Sequence, residues 1–138
     1  MEKRLVTYED VQSNKEIKIY ISQADKVLAA MGYTEHSFGH VKKTAELASS
    51  ILATLGYSER QQELAKIAGY MHDIGNVVNR VDHAQSGAVM AFRILDKMGM
   101  HPEEIAQVIS AIGNHDESTA AEVNPIAAAL ILADKTDV

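Results

Sequence analysis

An all-α fold is predicted by three observations. Apolar residues recur at helical spacing through every long segment, no stretch alternates apolar and polar residues between hairpin turns, and aromatic residues are only 5% of the chain. Strands draw on aromatic and β-branched side chains, so that scarcity weighs against a sheet. The 138 residues contain no internal repeat, low-complexity tract or linker rich in Pro, Gly or Ser, and so form one compact domain of six or seven helices. A chain of this length buries roughly two-thirds of its unfolded surface, enough for a core without covalent staples.

The helices are punctuated by caps and single glycines. Ser13-x-x-Glu16 reads as a capping box, followed by Ile17, Tyr20, Ile21, Ala24, Val27, Leu28 and Met31 on one face and Gly32 as the stop. A second helix starts near Ser37 with Val41, Thr44, Ala45, Ala48, Ile51, Leu52 and Leu55 inward, and closes at Gly56. Ser58-x-x-Gln61 caps a third, in which Leu64, Ala65, Ala68 and Met71 lead to the HDIG stretch at His72 to Gly75. Asp82-x-x-Gln85 starts a fourth, carrying Ala88, Val89, Phe92 and Leu95 to Gly99. Pro102 suits the first position of a fifth, with Ile105, Val108, Ile109 and Ile112 inward and Gly113 at its end. Asn124-Pro125 opens the last, Ile126 to about Asp134. Met71, Met90 and Met98 fit apolar faces, and the many alanines suit closely approaching axes.

Composition narrows the chemistry. There is no cysteine, which excludes disulfides, thiolate metal sites, iron–sulfur clusters and cysteine nucleophiles, so a bound metal must use histidine and carboxylate ligands. A net charge of −6 argues against a nucleic-acid polymer as partner, while a small anionic substrate stays compatible because bound cations reverse the local field. The N-terminal segment lacks a signal-peptide core, and the longest apolar run, Ile126 to Ala133, is too short to span a bilayer. A cytoplasmic protein without membrane contact is the expectation.

The histidines carry the functional signal. Six occur, at 36, 40, 72, 83, 101 and 115, and four of them adjoin Asp, Asn or Gly near predicted helix ends. His72-Asp73 closes an otherwise apolar helix, and Asp134 ends the apolar run, positions where buried polar groups need compensation. With His40 on the second helix they offer two imidazoles and two carboxylates, a nitrogen and oxygen set that suits a divalent metal with open positions for water.

The strings HVKKTAELA from His40, HDIG from His72 and LADKTD around Asp134 resemble the H…HD…D signature of the HD-domain metal-dependent phosphohydrolase superfamily. The resemblance covers about residues 36 to 138, the motif-bearing core of a single HD domain over 1–138, with 1–32 as an N-terminal helical extension. It implies an all-helical bundle in which His40, His72, Asp73 and Asp134 bind a metal. DHAQSGA and AIGNHDE place His83 and His115 where members with two metals carry further histidines. On that likeness Asp73 bridges both ions, His83 and His115 hold the second, and Asp73 and His72 are the catalytic pair. The cofactors implied are divalent ions, two in preference to one, from Mn, Fe, Ni, Co, Zn or Mg.

The chain departs from the family at two points of its motifs. Asn76 stands where a lysine often follows HDIG, and the GYP segment of cyclic-di-GMP phosphodiesterases is absent after His115, which disfavours that substrate. The chain also ends four residues after Asp134, whereas related domains usually continue, so the expectation is either a natural domain that runs further or one without the substrate wall that region contributes. Lys43, Arg80 and Lys135 are candidates for substrate phosphate, each weighed against plain solvent exposure. Asp116 and Glu117 either bond a ligating imidazole or cap the local turn, while His36 and His101 read as capping and helix-start residues.

The resemblance implies hydrolysis of a phosphoester or phosphoanhydride in a nucleotide or other small phosphorylated metabolite, through a metal-activated water. A di-iron oxygenase on the same fold and a non-catalytic metal-binding signalling module are the alternatives. The oligomeric state is left open, with a homodimer as the assembly considered.

Overall fold

A computed structural model describes residues 4–33, 37–116 and 120–136. They form seven α-helices and one 3-10 turn, with no strand among them: α1 Tyr8–Ser13, α2 Lys15–Ala30, α3 Ser37–Thr54, α4 Glu59–Met71, the HDIG turn Ile74–Val77, α5 His83–Met98, α6 Pro102–Gly113 and α7 Pro125–Thr136. The predicted all-α bundle is therefore the observed one. No helix among the described residues is long and apolar enough to cross a membrane.

Helix α1 has no counterpart in the expected element list, and its presence moves a boundary. Thr7 and Asp10 make a reciprocal capping box for it, and the next helix is capped one residue later than expected, by Asn14, whose side chain accepts from the Ile17 amide. Ser13 instead bonds back to the Glu9 carbonyl from the last turn of α1. The Ser58 cap on α4 is present as expected. The Asp82 capping box is not: Asp82 is left-handed, with φ 58°, and its side chain makes no cap bond. The Gln85 amide donates across to the Gly113 carbonyl at 2.8 Å, so it ties the start of α5 to the end of α6 instead of closing its own helix.

The core is built from Ile17 and Ile21 of α2, Val41 and Leu52 of α3, Leu64 and Ile67 of α4, Leu95 of α5, Ile112 of α6 and Leu130 of α7, all essentially inaccessible. Small residues let α3 and α4 approach closely. A Cβ added at Gly69 would lie 2.7 Å from the Ala45 Cα, which leaves room there for hydrogen alone. Helix α7 packs against α3, α4 and α6, α5 pairs with α6, and α2 lies against the HDIG turn.

Four residues predicted inward are exposed: Met31, Leu55, Val89 and Phe92. Met31 and Leu55 sit in the last turns before Gly32 and Gly56, where the chain already leaves the core in a left-handed conformation. In α5 the buried stripe is Ala84, Gly87, Ala91, Ile94 and Leu95, which leaves Val89 roughly half a turn away at 100° per residue.

Arg60 clamps three segments. Its guanidinium donates to both oxygens of Glu104 on α6, to Glu63 one turn along α4 and to the Val6 carbonyl of the N-terminal segment. The hydrogen bonds from Arg60 hold Glu104 below its ordinary carboxyl range against the opposing effect of burial. A depressed carboxylate stabilises the fold above its unfolded value and loses that contribution as pH falls through the folded one. The clamp's contribution is thus complete at neutrality and declines as pH falls below the unfolded carboxyl value. Arg60→Ala should cost about 2 kcal/mol at pH 7, measured by urea unfolding, and less at pH 3; an equal cost at both would refute the electrostatic account.

Candidate metal centre

Six side chains from five separate segments meet at one end of the bundle. His40 comes from the first turns of α3, His72 caps the C-terminus of α4, and Asp73 precedes the HDIG turn. His83 opens α5, His115 lies two residues past α6, and Asp134 is in the last turn of α7. His72, Asp73, His83 and His115 are buried, whereas the His40 and Asp134 side chains remain 21% and 26% exposed. The cluster therefore opens to solvent on the His40 and Asp134 side.

Asp73 divides the cluster into two halves. Its Oδ2 lies 3.3 Å from His40 Nε2 and 3.2 Å from His72 Nε2. Asp134 Oδ1 completes that half, 3.0 Å from His40 Nε2 and 3.4 Å from His72 Nε2. The other oxygen, Oδ1, faces His83 Nε2 at 3.4 Å and His115 Nε2 at 3.6 Å. Within each half the paired imidazoles present Nε2 to Nε2 at 3.1 Å.

The tautomers follow from the main chain. His72 Nδ1 bonds the Gly69 carbonyl at 2.6 Å, His83 Nδ1 bonds the Arg80 carbonyl at 3.0 Å, and His115 Nδ1 bonds the Ile112 carbonyl. A carbonyl only accepts, so each Nδ1 carries the proton and each neutral ring turns an Nε2 lone pair into the cluster. The second half thus aims two nitrogen lone pairs and a carboxylate oxygen at one point, with no donor among them. Such an arrangement is repulsive until a cation enters, either a proton or a metal ion. Imidazole nitrogens braced from behind by main-chain carbonyls, together with carboxylate oxygens, are the donor set a divalent transition metal takes. The residues present fit such an ion.

Without metal, protons answer the same demand. Burial disfavours a charged His72 ring, but the Asp73 and Asp134 carboxylates outweigh it and raise the ring to about 10. Asp73 and Asp134 are held well below the usual carboxylate range, again against burial, by the neighbouring imidazoles.

The HD domain family matches residues 37–138, with His40, His72, Asp73, His83, His115 and Asp134 all inside the matched span. The chain belongs to the HD-domain family. That family consists mostly of metal-dependent hydrolases. This HD-domain chain is also 26% identical, over 80% of its own length, to an uncharacterized protein of Methanocaldococcus jannaschii, and spans about half the length of that relative. No solved structure matches it.

The remaining candidates fall at several places in this HD-domain chain. Arg80 borders it, with Nη1 3.9 Å from Asp73 Oδ1 and 3.3 Å from Asn76 Oδ1. Lys43 lines a surface groove with Glu46, Ser50 and Thr136, and Lys135 another with Leu55 and Tyr57. His101 is an exposed helix-start residue that makes no cap bond, and Asp116 is half-buried next to His115. His36 and Glu117 lie outside the described residues. Sequence reasoning does not single out two buried polar groups as site residues: Thr44, one turn beyond His40, whose Oγ1 has no hydrogen-bond partner, and Asn76, whose Nδ2 has none. Asn76 carries a visible signal, an amide directly after HDIG where the turn is otherwise apolar.

Proposed function

We propose that the protein is a metal-dependent phosphohydrolase acting on a nucleotide or another small phosphorylated metabolite. The observation that carries this reading is the division of Asp73, one oxygen toward the His40, His72 and Asp134 half and the other toward His83 and His115. That arrangement supports two divalent ions sharing Asp73. When bound, such ions supply Lewis-acid charge for the phosphoryl oxygens and acidify the attacking water.

The chain's own residues do the positioning. His72, His83 and His115 keep their rings fixed through main-chain carbonyls, so little rearrangement accompanies loading. The exposed edges of His40 and Asp134 leave the side from which substrate approaches. Arg80, Lys43 and Lys135 are the cations proposed to receive its phosphate, with Arg80 standing 3.9 Å from Asp73 Oδ1. Hydrolysis joins the water oxygen to phosphorus as the bond to the leaving oxygen breaks, and the water proton ends on the leaving group. A phosphorylated small molecule fits an acidic chain because two divalent ions exceed the charge of the two carboxylates. A nucleic-acid polymer or membrane is not proposed as a partner, and a homodimer remains the assembly to test.

The test is elemental analysis of freshly purified protein, followed by nucleotides and phosphomonoesters assayed with each candidate metal. Two ions per chain and hydrolysis with one of Mn, Co, Ni, Zn, Fe or Mg are expected. Iron with dioxygen consumption and no hydrolysis would replace this reading with the oxygenase one. The Asp73 and Asp134 carboxylates favour a proton on the His72 ring when no metal is bound, so loading should also release protons, and affinity should rise as pH is raised through neutrality. Calorimetry in two buffers of different ionisation enthalpy measures that release; a buffer-independent heat would contradict it.

A further inference from the structure

We propose that Asn76 is the positioning residue for Arg80, and that the pair forms a subsite for a phosphoryl oxygen beside the His83 and His115 half of the centre. The proposal deepens the phosphohydrolase reading above and rests on it for the identity of the oxyanion.

Asn76 is completely buried in the HDIG turn, yet it carries an amide. Its Oδ1 accepts from Arg80 Nη1 at 3.3 Å, while its Nδ2 has no hydrogen-bond partner. Arg80 fixes that orientation, since the reversed amide would set two donor groups against each other. A buried amide with one unmet donor is costly where an apolar side chain of similar shape would fit. The one interaction it makes is with the guanidinium.

Arg80 is anchored at both ends. Its carbonyl accepts the Nδ1 proton of His83, which ties its backbone to a ring of the centre. Its guanidinium reaches back to Asn76 and stands 3.9 Å from Asp73 Oδ1, too far for a hydrogen bond but within range of the carboxylate's charge. About a third of the side chain stays exposed. A planar guanidinium held at one edge keeps its other N–H groups available in the fork that matches an oxyanion. Asn76 thus supplies the fixed edge, and the cation enters the site from Arg80.

The experiment compares wild type with Asn76→Leu and Arg80→Ala. For each, metal content is measured as purified, inorganic phosphate binding by calorimetry, the thermal midpoint, and KM and kcat on the best substrate. Arg80→Ala is expected to weaken phosphate binding about tenfold or more, the loss of a charge-assisted contact. Asn76→Leu should weaken it several-fold with unchanged metal content and a thermal midpoint equal to or above wild type, and should raise KM more than it lowers kcat. Wild-type phosphate affinity in Asn76→Leu or in Arg80→Ala would overturn the proposal. If wild type hydrolyses nothing while phosphate binding falls in both variants, the hydrolase reading fails and the subsite stands. Unchanged variants in an active hydrolase would remove the subsite and leave the hydrolase reading intact.

Discussion

On the proposed two-ion hydrolase reading, Asp73→Ala should give a folded protein that retains neither ion and hydrolyses phosphorylated substrates at least about a thousandfold more slowly. The expectation follows from the sharing of this one side chain. Each half of the centre would otherwise keep two imidazoles, and only the His40 and His72 half would keep a carboxylate, Asp134. The His83 and His115 half would be left with two facing lone pairs and no negative charge to attract a cation. Its metal should therefore be lost first, and elemental analysis across a dilution series would show the order. Folding should survive, because Asp73 makes no cap bond in the HDIG turn and the helices around it are held by the apolar core. Circular dichroism checks that point. Two ions per chain in Asp73→Ala would sink the shared-carboxylate account.

Gly75→Ala should be the most disruptive of the glycine-to-alanine changes, at the end of the bundle that carries the histidine cluster. A Cβ at Gly75 would lie 2.0 Å from the His83 carbonyl oxygen and 2.6 Å from the Gly87 amide nitrogen. Both are backbone atoms of the first turns of α5, so no side chain can rotate away. The HDIG turn and α5 must separate, and His83 moves with its helix. The expected cost is about 3 kcal/mol or more, beyond the usual range for an overpacked core because main chain is displaced. For a chain of this size that lowers the unfolding temperature by roughly 10 °C or more. Metal content should fall even where the protein still folds. Gly113→Ala is the control, since its nearest new contact would be the Ala88 Cβ at an ordinary 3.5 Å. A thermal midpoint for Gly75→Ala within a degree or two of the Gly113→Ala value would contradict this account.

Much of the fold is legible in the sequence because helical period and caps are local signals. Ser58 capping Gln61 and glycines at 32, 56 and 99 in left-handed conformations are read directly from short strings. Asp82 shows where that reading ends. Its string fits a capping box, but the approach of the HDIG turn to α5 and the bond from Gln85 to Gly113 are tertiary, and they decide the conformation there. Helix α1 escapes because six residues carry too little periodicity to stand out. Phe92 and Val89 look like core because they are apolar, whereas the face that packs is the stripe of Ala84, Gly87 and Ala91, suited to close approach. For the centre, the visible signal is polar residues at the ends of apolar helices. Nothing local in the strings shows that Asp73 turns its two oxygens in different directions, or that Asn76 reaches Arg80, because both depend on how the 3-10 turn and the helix ends are juxtaposed.

The three braced histidines share one arrangement: each ring bonds the carbonyl three residues before it, Gly69 for His72, Arg80 for His83 and Ile112 for His115. Each segment therefore carries complete instructions for pointing its own ring, independent of the other two. The constellation is modular. What the bundle must specify is only where three short stretches of chain are placed, a coarser task than aiming three separate side chains. A site written in that way tolerates drift in the rest of the sequence, provided the helix ends stay in register.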